Sequence, residues 1–187
     1  MTVMTSTPGW LSPGPITRAD LDAMPDDGHR YELLGGALIV TPAPSPRHQT
    51  AVGELFVALR SRAPDDLVVL MAPLDVTLSP DTVMQPDVVV ARREDLTERD
   101  LPTAPILAVE VLSPSTRGID LVLKRGHLQR AGCPHYWIVD PLDQSITALR
   151  LVDGAYVEAV TATGDDLFEV SEPFAVEFAA SSLFPAL

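Results

Sequence analysis

Short apolar runs separated by turn residues recur along the chain, and they constrain its fold more than any other feature. Four of these runs are strongly apolar: LVVLMAPLDVTL, PDVVVA, PILAVEVL and HYWIVDP. Apolar runs of this length, bounded by Pro, Gly, Asp or Ser, are typical of buried β-strands. SITALRLV and AYVEAVTA instead alternate apolar and polar residues, which predicts an antiparallel pair toward the C-terminus. The pattern predicts a domain built around a sheet.

Helical signals are fewer and are confined to three segments. The predicted helices begin at Thr17, span 47–62, and run from about Ile119 to Ala131. Ser45 and Pro46 mark the start of the second helix, because a capping side chain followed by a first-turn proline favours helix initiation. RYELLGGALIV has paired glycines between two apolar stretches, which predicts a hairpin.

These elements predict an α/β fold with a mixed central sheet flanked by helices and an added antiparallel hairpin near the C-terminus. A chain of 187 residues has the length of one ordinary domain. Residues 1–15 are rich in Pro, Gly, Ser and Thr, so we expect a loose N-terminal arm there. Residues 16–187 contain no internal repeat, which favours a single domain.

Acidic residues dominate the charge, with 26 Asp and Glu against 13 Lys and Arg and a net charge of −13. This balance excludes a basic nucleic-acid coat protein, because binding through counterion release needs a basic surface. Only residues 113–150 are net positive, so a nucleic-acid surface is expected around them. The single cysteine, Cys133, excludes an intrachain disulfide and a cysteine-based zinc site.

Targeting signals are not evident in the sequence. No apolar run approaches the roughly 18 residues that a membrane-spanning helix needs. The N-terminal segment lacks the basic start and the apolar stretch of a secretory signal. Together with the single cysteine, these features predict a cytoplasmic protein without a membrane partner.

Three charged residues stand out because of the apolar sequence around them. Asp87 directly precedes the run VVVA, and Glu110 lies inside PILAVEVL on the strand face that it shares with Ala108. A buried, unpaired carboxylate costs several kcal/mol or becomes neutral, so Glu110 needs a metal ion or a cationic partner. Lys124, the only lysine of the chain, falls on the apolar face of its predicted helix.

Two carboxylates and one ammonium group at neighbouring strand ends suit phosphodiester hydrolysis. The carboxylates would hold a divalent cation that polarises the phosphate and acidifies a water molecule. The ammonium group would stabilise the developing negative charge. Each residue also has an ordinary structural interpretation. Asp87 suits a strand start, Glu110 suits a pair with an arginine, and Lys124 suits a surface ion pair with Asp120.

Five phrases occur in an order that resembles the Uma-type restriction endonuclease family, which belongs to the PD-(D/E)XK nuclease superfamily. They are RYELLGGALI, TPAPSPRHQ, QPDVVV, VEVLSPSTRGID-x-x-x-K and AGCPHYWIVDP. The resemblance extends from about Arg30 to Asp140. It implies a restriction-endonuclease-like core and an endonuclease that hydrolyses DNA phosphodiester bonds with Mg²⁺, for which Mn²⁺ would substitute.

The resemblance also implies a catalytic set, residue by residue. Asp87 matches the aspartate of the PD element and Glu110 matches the acidic residue of the second element, so both are implied as metal ligands. The lysine usual two residues later is replaced by Leu112, and the family pattern places it in the next helix, where Lys124 lies. Glu32 matches the acidic residue of the YEL phrase and is implied as an accessory catalytic residue.

Four further residues are candidates for substrate contact: Arg117, Arg125, His48 and Gln85. The arginines would meet phosphates, and Gln85 lies next but one to Asp87, but all four also suit ordinary polar positions. The rival to an enzyme is a non-catalytic DNA-binding or protein-interaction module that retains the nuclease fold, which the net charge of −13 favours. A homodimer would suit double-strand cutting.

Overall fold

The computed structural model describes residues 15–25 and 27–186, so the predicted arm over 1–15 lies outside the described residues apart from Pro15. The helices are α1 Arg18–Asp22, α2 Pro46–Arg60 and α3 Arg125–Arg130, and the π-helix Ile119–Lys124 runs directly into α3. The strands are β1 Arg30–Leu34, β2 Ala37–Thr41, β3 Leu67–Met71, β4 Val76–Ser79, β5 Thr82–Met84, β6 Val88–Arg92, β7 Leu107–Val111, β8 His135–Asp140, β9 Ser145–Val152, β10 Ala155–Thr163, β11 Leu167–Val170 and β12 Val176–Ala179. Short 3₁₀ turns occupy Arg93–Asp95 and Ala180–Leu183. None of the described helices is long and apolar enough to cross a membrane.

A six-stranded mixed sheet forms the centre of the protein, in the order β10-β9-β8-β7-β6-β3. β7 and β8 run parallel, and the other neighbouring strands of this sheet run antiparallel. Parallel neighbours need a crossover connection, which the π-helix and α3 provide here. A four-stranded sheet, β2-β1-β5-β4, and the pair β11-β12 complete the sheets of the described residues.

The central strands are buried on both faces, which explains their nearly continuous apolar sequences. In β7, Val109 packs into the same core as Leu55 of α2. Ala108 points to the opposite face and packs into a second core with Leu128 of α3. Because side chains alternate along a strand, Glu110 shares the face of Ala108 and lies on the side of α3.

The structure confirms the predicted α/β class, the mixed central sheet and the added hairpin, which is formed by β9 and β10. The hairpin predicted around the paired glycines is also confirmed, as β1 and β2. Gly35 and Gly36 have φ angles of +58° and +79°. Positive φ at both central residues is what a two-residue hairpin turn requires. The pair β11-β12 was not predicted.

The helix predicted from about Ile119 differs from the structure in its first half. Ile119–Lys124 is π-helical, and the amide of Arg125 donates a hydrogen bond to the carbonyl of Asp120, five residues earlier. The hydroxyl of Tyr136 also donates to that carbonyl, at 2.8 Å, so a side chain from β8 holds the widened turn open. Both Asp120 and Lys124 are buried as a result. π-Turns are frequent at functional sites.

Candidate active site

The four candidate catalytic residues come from different parts of the fold and meet at one end of the inner strands β6 and β7. Val88 of β6 pairs with Val109 of β7, which brings Asp87, just before β6, beside Glu110. Glu32 comes from β1 of the four-stranded sheet, and Lys124 comes from the end of the π-helix. The crossover between β7 and β8 therefore places Lys124 next to carboxylates from both sheets.

Lys124 lies at the centre of a buried cluster of carboxyl groups. Its Nζ atom is 3.0 Å from Glu32 Oε1 and 3.0 Å from Glu110 Oε1. A third carboxyl group, that of Asp120, has its Oδ1 atom 3.6 Å away. The side chain of Lys124 is only 3% exposed and that of Asp120 only 4%. The interpretation of Lys124 and Asp120 as an ordinary surface pair is therefore wrong, because both groups are inside the protein.

Asp87 occupies the neighbouring position and is held by three donors. Its Oδ1 atom is 3.3 Å from Arg30 Nη1, and its Oδ2 atom is 3.2 Å from His48 Nε2. The backbone amide of Val111 also donates to Oδ2, at 2.9 Å. Arg30 connects this group to the lysine cluster, because its Nη2 atom lies 3.6 Å from Glu32.

All four predicted catalytic residues line one cavity of about 350 Å³. Arg30, His48 and Asp120 line it as well. The hydroxyl-bearing segment from Ser113 to Thr116 forms another part of its wall. This cavity therefore offers carboxylates, cations and hydroxyl groups to whatever occupies it.

The nearby cations keep two of the buried carboxylates ionised. Burial alone would raise the pKa of Asp87, but the bond to His48 and the charges of Arg30 and Lys124 lower it to about 2. Burial would also raise the pKa of Glu32, but Lys124 and Arg30 together hold it below its usual value. Both groups are thus negatively charged over the whole physiological pH range.

The other two buried carboxyl groups, those of Glu110 and Asp120, have raised pKa values instead. Burial raises the pKa of Glu110 well above its usual value in spite of Lys124, and the neighbouring negative charges add to this effect. Burial also raises the pKa of Asp120. Burial would lower the pKa of Lys124, but Glu110 and Glu32 outweigh it and raise that pKa, so the ammonium group stays charged. The site therefore has four buried carboxyl groups beside two cations, Lys124 and Arg30.

A family comparison assigns the chain on independent grounds. The model of the Uma2 family, described as "Putative restriction endonuclease", matches residues 18–182. The chain belongs to the Uma2 family. This family assignment confirms the resemblance seen in the sequence, and the matched residues include every member of the cluster around Lys124.

A solved structure supports the fold. The crystal structure of "a putative nuclease belonging to DUF820" from Anabaena variabilis is similar to this Uma2 chain with a TM-score of 0.73. The two proteins share 22% sequence identity, and the similarity covers 91% of this chain and 98% of that one. No curated protein matches the chain. At this identity the similarity establishes the fold, and the chemistry must be argued from the site.

The donor chemistry of the Uma2 cavity fits a divalent cation such as Mg²⁺. Burial raises the pKa values of Glu110 and Asp120, and neighbouring carboxylates add to this effect, so a bound cation would favour their ionised forms. Within the described residues, no three or more His, Cys, Asp or Glu side chains are arranged as a metal cage. Mg²⁺ is usually held by one or two carboxylates together with water and substrate phosphates. Asp87 and Glu110 would offer two carboxylates, which is within this usual number.

The structure separates the four predicted substrate contacts. His48 lines the cavity and contacts Asp87. Gln85 supports the site through its backbone amide, which donates to Glu32 Oε1 at 2.7 Å, while its side chain turns away to Asp75. Arg117 pairs with Asp140, and Arg125 lies 3.4 Å from the carbonyl of Tyr156. These two arginines are not among the residues that line the cavity.

Sequence reasoning missed two residues of the site, Arg30 and Asp120. Arg30 stands at the first position of β1, where an arginine is ordinary. Asp120 is four residues before Lys124, which is the usual spacing of a surface ion pair on a helix. Asp120 could have been found, because Lys124 already lay on the apolar face of the helix. A partner four residues before it shares that face and points inward too.

Proposed function

We propose that this protein is a metal-dependent endonuclease that hydrolyses DNA phosphodiester bonds. The observation that carries the proposal is the position of Lys124, whose ammonium group is buried 3.0 Å from both Glu32 and Glu110, in the cavity that Asp87 also lines. The description of the Uma2 family and that of the Anabaena variabilis structure support nuclease-like chemistry. Carboxylates beside a fixed ammonium group suit the transfer of a phosphoryl group to water.

Asp87 and Glu110 would hold the metal ion, and a bound divalent ion polarises the phosphate and makes its water a stronger nucleophile at neutral pH. Arg30 and His48 keep Asp87 ionised and oriented toward the cavity. Lys124 stabilises the negative charge that develops on the phosphate when the water oxygen attacks phosphorus and the bond to the leaving oxygen breaks. Because Glu32 and Asp120 also contact Lys124, the ammonium group keeps two partners while Glu110 serves the metal.

The test is plasmid cleavage in Mg²⁺ or Mn²⁺, with the wild type compared with Asp87→Asn, Glu110→Gln and Lys124→Met. We expect each variant to lose at least about 100-fold in rate, since removal of one preorganised electrostatic contact has effects of that size. Asp140→Asn is the matched control, because Asp140 is also buried and ion-paired but does not line the cavity. It should cleave as the wild type does.

Cleavage that survives Asp87→Asn or Lys124→Met would contradict the proposed mechanism. A wild type that binds DNA without cleaving it in either metal would favour the rival, a non-catalytic DNA-binding module. Circular dichroism of each variant shows whether a lost activity reflects chemistry or a lost fold.

A further inference from the structure

A second and larger cavity adjoins the candidate active site. Its volume is about 780 Å³. Arg30, His48 and Asp87 line both cavities, so the second cavity shares a wall with the site where a phosphate would react. None of the proposed catalytic steps uses this space.

The second cavity has apolar walls and a small number of polar groups. The apolar side chains come from α1, the loop after it, α2 and the end of β3: Leu21, Met24, Val52, Met71 and Pro73. Gln85 Oε1, His48 Nδ1 and Arg30 Nε are buried polar atoms of lining residues and have no hydrogen-bond partner within the described chain. Buried polar atoms are normally paired, so these three atoms have hydrogen-bonding capacity that the described chain itself does not use.

The charges of the cavity favour a neutral ligand. Two of its three acidic side chains, Asp22 and Asp75, are ion-paired with Arg18, so the cavity has no spare cation for a phosphate at that end. The third, Asp87, is paired with Arg30 and His48. The amide of Gln85 is held in place because its Nε2 atom donates to Asp75 at 2.8 Å, which leaves the oxygen as a free acceptor. An uncharged heterocycle with an N–H group matches these walls.

We propose that the second cavity receives an unstacked nucleobase next to the scissile phosphodiester bond. The inference rests on the proposed function, since it assigns the substrate of the same site. Enzymes take a base out of the stack into a pocket with apolar walls and read its edge by hydrogen bonds. Here the phosphate would lie in the smaller cavity, the base in the larger one, and the oxygen of Gln85 would accept a hydrogen bond from the base.

Gly53 of α2 provides a clean way to close the second cavity. It lines that cavity but not the smaller one, and a Cβ atom built on it meets no other atom within 4 Å. Gly53→Phe should therefore fill the cavity without moving the backbone. Val57 lies one turn later on α2 and is 61% exposed, so Val57→Phe adds the same ring outside the cavity as a control.

The experiment uses the full chain and duplexes in which single adenines are replaced by 2-aminopurine, whose fluorescence rises when it leaves the stack. Fluorescence is recorded with Ca²⁺ and cleavage with Mg²⁺. In the wild type and in Val57→Phe we expect a several-fold rise for a base flanking the cleaved bond. In Gly53→Phe we expect no rise and a kcat/KM at least about tenfold lower.

The possible failures are distinguishable. Cleavage without a rise at any flanking base, or a Gly53→Phe variant that cleaves and brightens as the wild type does, would overturn the base pocket and leave the proposed function intact. A wild type that neither binds nor cleaves any duplex would overturn both. Unchanged circular dichroism and thermal unfolding of Gly53→Phe exclude a folding defect as the cause of its loss.

Discussion

Two cations in this protein are each surrounded by three carboxyl groups, and the carboxyl groups of the two clusters differ in their pKa values. Arg18 contacts Asp22 at 2.8 Å, Asp75 at 3.1 Å and Asp100 at 3.2 Å. Lys124 contacts Glu32 and Glu110 at 3.0 Å and Asp120 at 3.6 Å. The count of charges and the distances are almost the same in both places.

Solvent makes the difference between them. The Arg18 cluster is partly exposed, from 15% for Asp100 to 33% for Asp22. Hydrogen bonds and arginine charges outweigh burial there, so the pKa values of Asp22 and Asp100 are lowered. In the Lys124 cluster no side chain is more than 4% exposed, and burial raises the pKa values of Glu110 and Asp120. Two carboxyl groups of the second cluster therefore have raised pKa values, whereas Glu32 keeps a lowered one.

The largest contrast is expected when each cation is removed. Lys124→Met leaves three carboxyl groups buried without their partner, which typically costs about 3–5 kcal/mol of unfolding free energy. Arg18→Met leaves carboxyl groups that water reaches, so its cost should be about 1 kcal/mol. Urea denaturation at pH 7 measures both. Equal losses in the two variants would show that burial does not distinguish the clusters.

A divalent cation should stabilise the protein through the Lys124 cluster only. At 100 times its dissociation constant, an ion that binds the folded state raises the unfolding free energy by about 2.7 kcal/mol. Thermal unfolding with and without Mg²⁺ should show this rise in the wild type and in Asp100→Asn, but not in Glu110→Gln. If Glu110→Gln retained the full shift, Glu110 would not be a ligand.

Neutralising one acid in each cluster should have effects of opposite sign at high pH. The raised pKa of Asp120 means that its stabilising contribution is present below an unfolded pKa of about 4 and is lost as pH rises through the folded value. Asp120→Asn should therefore gain stability relative to the wild type as the pH rises above about 4.

Asp100 is the matched case, because its pKa is lowered and its contribution is present above an unfolded pKa of about 4. Asp100→Asn should lose about 1 kcal/mol at pH 8, and this loss should disappear as the pH falls below 4. Urea denaturation over a pH series measures both variants. Parallel pH profiles for the two variants would contradict the comparison.

The smallest expected effect is that of Arg18→Lys. A lysine retains the charge of the Arg18 cluster and loses only the planar geometry of the guanidinium group, so the unfolding free energy should fall by less than about 1 kcal/mol.

Lys124→Arg is the reverse exchange in the other cluster. It puts a larger group into a closed space and should abolish cleavage, whereas the Arg18 cluster should tolerate Arg18→Lys. Activity in Lys124→Arg would show that a compact ammonium group is not required.

Much of the fold could be predicted, because buried strands have a strong sequence pattern. The runs around Val88 and Val109 are nearly all apolar, and the structure has central strands at both places. The pair β11-β12 was missed although Phe168 of β11 packs edge-on against Trp137, with ring centroids 5.0 Å apart. Its strands are only four residues long and lie in an acidic segment, a composition that is also typical of a solvated face.

From local patterns alone, the site could be predicted only where a charge interrupts an apolar run, whereas Glu32 was implied by the family resemblance. Glu110 and Lys124 were found in this way, and the structure brings them to 3.0 Å. Arg30 occupies a position where its residue type is ordinary, so no local pattern singles it out. The π-turn and the second cavity depend on contacts between distant segments, such as the bond from Tyr136 to the carbonyl of Asp120, which local patterns do not encode.

The burial of Lys124 has a spectroscopic consequence. The chain contains a single lysine, so isotope labelling of lysine side chains places the label on one amine, at the centre of the carboxyl cluster. Every other basic side chain is an arginine or a histidine and stays silent in such a spectrum. One resonance would therefore follow the arrival of a metal ion or of DNA at the cavity, in the unmutated protein and without any attached probe.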